Sequence, residues 1–156
     1  PNVKKEGIAF GVDAEVVERL VKKLAEISSK PLIVKLTPNV TNIVEIAKAA
    51  ERGGADAVAL INTLLGMSID IHTKRPAIKN VMGGYSGPGI KPVALRMVYQ
   101  VAKSVKIPVL GGGGIFSAED AIEFMIAGAS AFSVGTLLFN SIEKVNNMLN
   151  EIDGYL

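Results

Sequence analysis

Glycine stands directly after two apolar segments in the last third of the chain. Gly113 and Gly114 follow residues 107–110, and Gly135 with Thr136 follows residues 131–134. Glycine lets the backbone approach an anion closely, and the amides that open a following helix are unpaired donors at the positive end of its dipole. A single turn of this kind is also typical of an ordinary strand-to-helix connection. Two of them on neighbouring parallel strands favour a site for the phosphate of a ligand, with the Thr136 hydroxyl as a further donor.

Polar side chains end two earlier apolar segments. Lys35 lies near the end of residues 31–36, where an unpaired buried ammonium is costly, so we expect it to face a ligand. A lysine at a sheet edge or beside a helix, reaching water along its apolar stem, fits the pattern as well. A positive charge fixed here could stabilise charge that develops on a reduced flavin ring. Asn62 and Thr63 follow the apolar stretch that ends at residue 61. The side-chain amide of Asn62 suits the imide edge of a ligand, because it offers both a donor and an acceptor. Alternatively, Asn62 only completes the turn that follows the strand.

Residues 62–91 show no clear helix or strand pattern. A loop of that length inside a compact domain is usually functional or mobile. It ends in the letters NVMGGYSGPGIKP, whose glycines, Gly87 among them, permit a close backbone approach to a ligand or sharp reversals at the surface. We favour a functional loop over a surface excursion. His72, midway along it, is expected to be solvated rather than a ligand or a base.

Short apolar segments alternate with amphipathic ones along the chain. Continuous apolar strands of this kind predict a parallel sheet that helices cover. Strands are predicted at 31–36, 57–61, 107–110 and 131–134. Helices are predicted at 13–28, 42–52, 92–104, 117–127 and 141–152, with Asp13, Asn42 and Ser117 as N-terminal caps.

One helix followed by four strand–helix pairs is half of an eight-stranded barrel. We therefore predict the α/β class and the C-terminal half of a TIM (β/α)8 barrel, with residues 1–156 as a single domain whose N-terminal half lies upstream of Pro1. Four strands cannot close a barrel, because closure links strand number to shear. A doubly wound fold would place its glycines after the first strand, where TPNVTN stands. Phosphate-binding loops after strands seven and eight are typical of a TIM barrel.

Composition excludes several classes of function. The 17 basic and 15 acidic residues are interspersed and aromatic residues make up 5%, so no nucleic-acid partner is expected. No apolar run approaches the ~20 residues of a membrane helix, and no signal peptide is visible, so we expect a cytoplasmic protein without a membrane partner. With 0 cysteines and 1 histidine, no metal site is expected, and redox chemistry would need a bound cofactor.

Several segments together resemble one family. PNVKK, IVKLTPNV, INTLLGMSID, GGYSGPGIKPVALRMV, GGGGI and SVGT occur in the order found in the catalytic subunit of FMN-dependent class 1 dihydroorotate dehydrogenases, in particular the NAD-linked 1B type. The resemblance spans essentially all 156 residues. It implies FMN as cofactor, with its phosphate held by Gly113, Gly114, Gly135 and Thr136, its flavin ring edge facing Lys35, and backbone contacts from Ile61 and Gly87. It implies an orotate site formed by Asn62, Thr63 and Asn2.

The resemblance also implies a reaction. In that family dihydroorotate is oxidised to orotate for pyrimidine (UMP) synthesis: a cysteine base removes the C5 proton, and the C6 hydride passes to flavin N5. The cysteine belongs to an SCPN motif, so it would come immediately before Pro1, and this chain alone is expected to be inactive. Electrons would reach NAD through a partner subunit that carries FAD and an iron-sulfur cluster, docked on a homodimer core of a heterotetramer.

Two alternatives remain open. Another FMN barrel that acts on a related pyrimidine, such as uracil or dihydrouracil, would need the same glycines and a similar Asn62 and Thr63 pair. A non-catalytic half-barrel that self-associates through its open sheet edge belongs to a different class, and edge strands make such pairing favourable.

Overall fold

The computed structural model describes residues 10–155. In chain order its regular elements are α1 (Ala14–Ile27), β1 (Ile33–Lys35), α2 (Ile43–Arg52), β2 (Ala57–Leu60), β3 (Leu64–Met67), β4 (Ile69–Asp70), β5 (Arg75–Pro76), β6 (Met82–Tyr85), a 3-10 turn (Pro88–Ile90), α3 (Lys91–Ala102), β7 (Val109–Gly112), α4 (Ala118–Ile126), β8 (Ala131–Ser133), a second 3-10 turn (Thr136–Phe139) and α5 (Ile142–Tyr155). Among the helices of this part of the chain, none is both long and apolar enough to cross a bilayer.

The main sheet is parallel and open. Its 4 strands lie in the order β1, β2, β7, β8. Lys35 of β1 is in register with Ala59 of β2, Ala59 with Leu110 of β7, and Leu110 with Ala131 of β8. Each strand of the main sheet is followed, directly or after the small strands β3 to β6, by a helix that packs on the preceding helix of the chain. The α/β class and the parallel sheet predicted from the sequence are confirmed, and the arrangement is that of part of a TIM barrel whose barrel is not closed.

One face of the sheet carries the hydrophobic core. Because successive side chains of a strand alternate between faces, Val58, Leu60 and Val109 point to the helices, and all of them are buried. Gly111 lies on the same face, where a β-carbon would stand 2.8 Å from Cδ1 of Phe124. Glycine is therefore required at this position for the fully buried Phe124 ring to lie against the sheet.

The opposite face of the sheet has no helix on it within residues 10–155. Ile33 is 54% exposed there, and Lys35, Ala131 and Ser133 are also exposed. In a closed barrel this face would line the interior. Lys35 thus lies on the face away from the helices, which rules out the helix-facing alternative, and it does lie on an edge strand of the described sheet.

The helix ends agree with the signals in the sequence. Asp13 accepts hydrogen bonds from the first amides of α1, Asn42 accepts one from α2, and Ser117 accepts one from α4. Gly54, with φ 94°, and Gly128, with φ 104°, adopt the left-handed conformation just after α2 and α4. These short-range rules explain why the helices begin and end within a few residues of the predicted bounds.

Residues 62–91 differ from the prediction. They contain an antiparallel ladder of β3 with β6 and a smaller one of β4 with β5, so the expectation of a segment without strands is wrong. The composition of these strands explains the difference, because glycine and proline are depleted in strands. Here Gly66 pairs with Gly83, and Pro76 lies in β5. The pairing also joins distant residues, which a local pattern does not reveal. His72 is exposed, in keeping with a solvated histidine.

Candidate functional site

The first glycine turn, Gly113 and Gly114, lies at the carboxyl end of β7. Both residues have positive φ, 125° and 80°, where a side chain would be strained. A β-carbon on Gly114 would stand 2.7 Å from the backbone nitrogen of Lys91, the first residue of α3. A β-carbon on Gly113 would stand 2.9 Å from that of Ala94. The turn is therefore held against the start of α3, a packing requirement that the sequence did not reveal.

The second glycine turn, Gly135 and Thr136, follows β8. A β-carbon on Gly135 would have no heavy atom within 4 Å, so there is open space beside this residue. The turn leads into the 3-10 turn Thr136–Phe139 rather than directly into an α-helix. The helix dipole expected here is consequently small, because only a few peptide units are aligned.

Backbone donors are free in both turns. No acceptor within residues 10–155 receives the amides of Gly113, Gly114, Gly135 and Thr136. Just before α4, Phe116 N and Ser117 N donate to Oδ2 of Asp120 at 2.8 and 3.1 Å, and within its first turn Asp120 N donates to Oγ of Ser117 at 3.2 Å. Unpaired donors are thus found in the glycine turns themselves, ahead of α4. Such groups need a partner, either water or an anion.

Ser86 and Gly87 lie against the second glycine turn. The Thr136 hydroxyl donates to Oγ of Ser86 at 2.9 Å, so it is not the free donor that the sequence analysis expected. The Ser86 hydroxyl keeps its own proton for another acceptor. Gly87 has φ 104°, and its β-carbon would stand 3.9 Å from Cγ2 of Thr136. The structure therefore brings Gly87 to Thr136 and adds Ser86, which lies 50 residues from Thr136 in the chain and whose only sequence signal was its place in a glycine-rich segment.

Ile61, Asn62 and Thr63 leave the carboxyl end of β2. The Ile61 amide, which belongs to a cis peptide bond with Leu60, donates to the Gly112 carbonyl at 2.9 Å, and the Asn62 amide donates to the Leu36 carbonyl at 3.0 Å. These bonds place the segment between the ends of β1 and β7. Asn62 is exposed and Thr63 is half-buried, so both are accessible at this end of the sheet.

Asn39 is a residue that the sequence analysis missed. Its side-chain nitrogen donates to the Thr63 carbonyl and to Oγ1 of Thr37, both at 3.1 Å, while its oxygen accepts from Leu65 N at 2.9 Å. One side chain therefore ties the loop after β1 to the Thr63 carbonyl and to the Leu65 amide. The available signal was an asparagine next to a proline just beyond an apolar strand, which is common in turns.

Lys35 stands apart from the glycine turns. No carboxylate within residues 10–155 forms a salt bridge with it. It lies on β1 and the second glycine turn follows β8, at the other edge of the sheet. Three strand spacings of ~4.8 Å put roughly 14 Å between them, so only an extended ligand could reach both. Asn2 lies outside the residues that the structure describes.

An ionic cluster joins α3 to α4 beside the first glycine turn. Nζ of Lys91 lies 2.6 Å from Oδ1 of Asp120 and 2.9 Å from Oε2 of Glu123. The hydrogen bonds to Asp120 and then Glu123 raise the pKa of Lys91. Burial by itself raises the pKa of Asp120, but the bonds from Lys91 and from the Phe116 and Ser117 amides outweigh it, and the net pKa is lowered. This cluster was not predicted from the sequence either, although Ser117 with Asp120 three residues later forms a capping box.

Known proteins resemble the whole chain. The family model for dihydroorotate dehydrogenase matches residues 1–156. The chain is 57% identical over 156 residues to the catalytic subunit of dihydroorotate dehydrogenase B (NAD(+)) from Alkaliphilus metalliredigens, an alignment that covers 100% of this chain and 52% of that protein. The protein of the same name from a Thermoanaerobacter species is 59% identical over 156 residues, again with 100% and 52% covered. The chain thus spans about half the length of the curated relatives it matches.

A solved structure has the same fold. The crystal structure of DHODH from Eimeria tenella, in complex with ferulenol, matches with a TM-score of 0.71 at 22% identity, over 99% of this chain and 49% of that chain. At this identity the likeness concerns the fold, namely the parallel strands and the helices that follow them. The family model and the close relatives go further: the chain belongs to the dihydroorotate dehydrogenase family.

Proposed function

We propose that residues 1–156 are the C-terminal half of a TIM barrel whose full-length protein oxidises dihydroorotate to orotate in pyrimidine synthesis, with FMN as cofactor. Family membership supports the reaction, because the curated relatives carry the name dihydroorotate dehydrogenase. The observation that carries the cofactor assignment is the set of turn amides without an acceptor in residues 10–155, next to the open space at Gly135.

The residues at the two glycine turns fit a phosphate. A dianion needs several donors that converge without competing acceptors, and backbone amides in turns provide them. Gly113 and Gly114 present amides in left-handed conformations, and Gly135 leaves the space that an oxygen atom would fill. The Ser86 hydroxyl, which accepts from Thr136, retains a proton for a phosphate oxygen. Thr136 would then act through its amide and through Ser86.

Lys35 and the β2 exit suit the ring of the same ligand. When bound, FMN supplies the acceptor for a hydride. Lys35 has no carboxylate partner in residues 10–155, so its charge is available to stabilise negative charge on a ring edge. Ile61 follows β2, which lies between β1 and β8 in the sheet, and Gly87 lies against Thr136, so the backbone at these two residues would contact the rest of the molecule. The estimated span from β1 to β8 favours an extended ligand of this kind.

Asn62 and Thr63 would hold the pyrimidine. An amide offers a donor and an acceptor, which matches the paired N–H and C=O groups of a dihydropyrimidine ring. Two hydrogen bonds of the Asn39 side chain hold the backbone from Thr63 to Leu65 and would so orient these side chains. Asn2 and a cysteine immediately before Pro1, as base for the C5 proton, complete the proposed site on the strength of the family resemblance.

The proposal includes a partner. Relatives are named as the catalytic subunit of an NAD(+)-linked enzyme, which supports a separate subunit for electron transfer. We assign FAD and an iron-sulfur cluster to that subunit, two copies of which would dock on a homodimer of the catalytic chain in the cytoplasm. Co-purification followed by mass measurement of the complex and iron analysis would check this part.

The central test is flavin content and reduction. The full-length protein, expressed alone, is expected to purify with one FMN per chain and to be bleached anaerobically by dihydroorotate. Dihydrouracil is the matched control ligand, since it lacks the carboxylate, and we expect it to reduce the flavin far more slowly. A colourless protein that takes up no added FMN, or one that dihydrouracil reduces faster, would contradict the proposal.

A further inference from the structure

The contact between Lys91 and Asp120 has no role in the site proposed above, yet it borders the first glycine turn. We propose that this ion pair is a positioning device that holds Gly113 and Gly114 in the shape that receives the FMN phosphate. The inference rests on the proposed function and extends it to two side chains that touch neither the cofactor nor the substrate.

Lys91 holds the turn from one side. Its backbone nitrogen would stand 2.7 Å from a β-carbon on Gly114, closer than real β-carbon contacts, so this backbone and the turn are in direct contact. Any shift of α3 relative to the turn would therefore move Gly114. Nζ of the same residue reaches Oδ1 of Asp120 at 2.6 Å, on the other side of the turn.

Asp120 holds the turn from the other side. Its Oδ2 accepts from the amides of Phe116 and Ser117, which follow the turn after one intervening residue. One carboxylate therefore secures the backbone where the turn enters α4, and its second oxygen ties that point to α3 through Lys91. The side chains of Lys91 and Asp120 are 26% and 16% exposed, so water weakens the pair less than it would a surface salt bridge.

Local helix energetics do not account for this lysine. A positive charge in the first turn of α3 opposes the helix dipole, which favours acidic residues there. Direct attraction of a phosphate is also a poor explanation, because two carboxylates, Asp120 and Glu123, already neutralise the ammonium. The remaining role for Lys91 is to connect α3, the first glycine turn and α4 mechanically.

The substitution Asp120→Asn separates positioning from attraction. Asparagine keeps an oxygen for the Phe116 and Ser117 amides but removes the charge that holds Lys91. If the pair positions the turn, this change weakens FMN binding. If Lys91 instead attracted the phosphate, freeing its charge from a carboxylate would tighten FMN binding.

The experiment titrates apo forms of the full-length protein with FMN and, in parallel, with riboflavin, which lacks the phosphate. Lys91→Met and Asp120→Asn are each expected to raise the Kd for FMN about tenfold, the factor that matches the loss of one charge-assisted hydrogen bond. Lys91→Arg should stay within about twofold of the unsubstituted protein, because the charge is kept. Riboflavin affinity should be unchanged in all variants. The matched control is Lys103→Met, the same change just beyond the far end of α3.

A double variant, Lys91→Met with Asp120→Asn, should bind FMN no more weakly than either single variant, since both remove the same contact. Three results would overturn the inference alone. The Asp120→Asn protein could bind FMN as tightly as the unsubstituted protein or more tightly, or the variants could lose equal affinity for FMN and for riboflavin. In the third case, the loss of FMN binding free energy in the double variant would equal the sum of the two single losses. An unsubstituted protein that binds neither flavin would overturn the proposed function and this inference with it.

Discussion

At the scale of single residues, the glycines of the candidate site divide into two kinds. Gly113 and Gly114 combine positive φ with tight contacts to α3, so their lack of a side chain is a requirement of the fold. Gly135 has negative φ, −120°, and open space around it. Apart from its chain neighbours, no heavy atom of residues 10–155 lies within 4 Å of a β-carbon at Gly135, and a ligand that occupies this space is a reason for glycine there.

This difference predicts opposite outcomes for two alanine substitutions. Gly135→Ala should change the free energy of unfolding by less than about 0.5 kcal/mol while it weakens FMN binding, because the methyl group fills the proposed phosphate space. Gly114→Ala should destabilise the full-length apo protein by about 2 kcal/mol or more, from a left-handed backbone and a clash with Lys91 N. Urea unfolding together with FMN titration measures both quantities. A Gly135→Ala protein that binds FMN normally would contradict the placement of the phosphate.

Asn39 supports a second residue-scale prediction. Asn39→Ala removes the two hydrogen bonds that hold the backbone from Thr63 to Leu65, and a third to the Thr37 hydroxyl, so KM for dihydroorotate should rise while the FMN content stays the same. The stability loss should be about 1 kcal/mol, since these bonds are exposed. The control is Asn42→Ala, which loses the cap of α2 and costs a similar amount without contact to Thr63. If both variants raise KM equally, Asn39 has no positioning role.

At the scale of elements, local rules account for what could be predicted. The predicted strands became β1, β2, β7 and β8 because each lies in a short apolar segment, and helix ends followed from Asp13 and Ser117 as caps. The ladder of β3 with β6 could not be read locally, because its register pairs Leu64 with Tyr85 through glycine-containing strands. For the same reason the contact of Lys91 with Asp120, which lie 29 residues apart, was not visible in the sequence.

The junction of α3 with α4 should give stability a defined pH dependence. The pKa of Asp120 is below its ordinary 3.8, so its contribution is full above that pH and is lost as the pH falls through the lowered value. The pKa of Lys91 is above its ordinary 10.5, so its contribution is full below that pH and is lost as the pH rises further. The pair therefore stabilises the fold across the whole neutral range.

Asp120→Asn should accordingly lower the free energy of unfolding by about 1–2 kcal/mol at neutral pH, and the gap to the unsubstituted protein should close below pH 3.8. Glu119 also has a lowered pKa, from its own backbone amide and then the Ser117 hydroxyl, and Glu123 shares Lys91. Because Glu119 and Glu123 are present in both proteins, their contributions to the free energy of unfolding largely cancel when the two proteins are compared. Urea unfolding at a series of pH values measures the gap. A gap that persists unchanged well below this pH would show that Asp120 acts without its charge.

At the scale of the whole molecule, the sheet has one covered face and one uncovered face within residues 10–155. The helices bury Val58 and Val109 on the first face, while Ile33 and Ala131 remain exposed on the second. An exposed apolar surface of this kind normally marks an interaction site. The proposed half-barrel accounts for it, since the second face becomes the interior once the other strands are present. The sequence predicted this from strand count alone, because four strands cannot close a barrel.

Substitutions at Ile33 distinguish a face that is exposed to water in the isolated chain from one that lines the barrel interior in the full-length protein. Ile33→Asp in the isolated chain of residues 1–156 places a carboxylate at a 54% exposed position, so it should reduce binding of an apolar dye and light scattering without unfolding the helices. In the full-length protein the same change buries a charge in the barrel interior and should cost about 3 kcal/mol or more. Ile33→Val, the control, should cost about 1 kcal/mol in the full-length protein and little in the isolated chain. Equal tolerance of Ile33→Asp in both proteins would mean that this face stays open to water, which the half-barrel proposal does not allow.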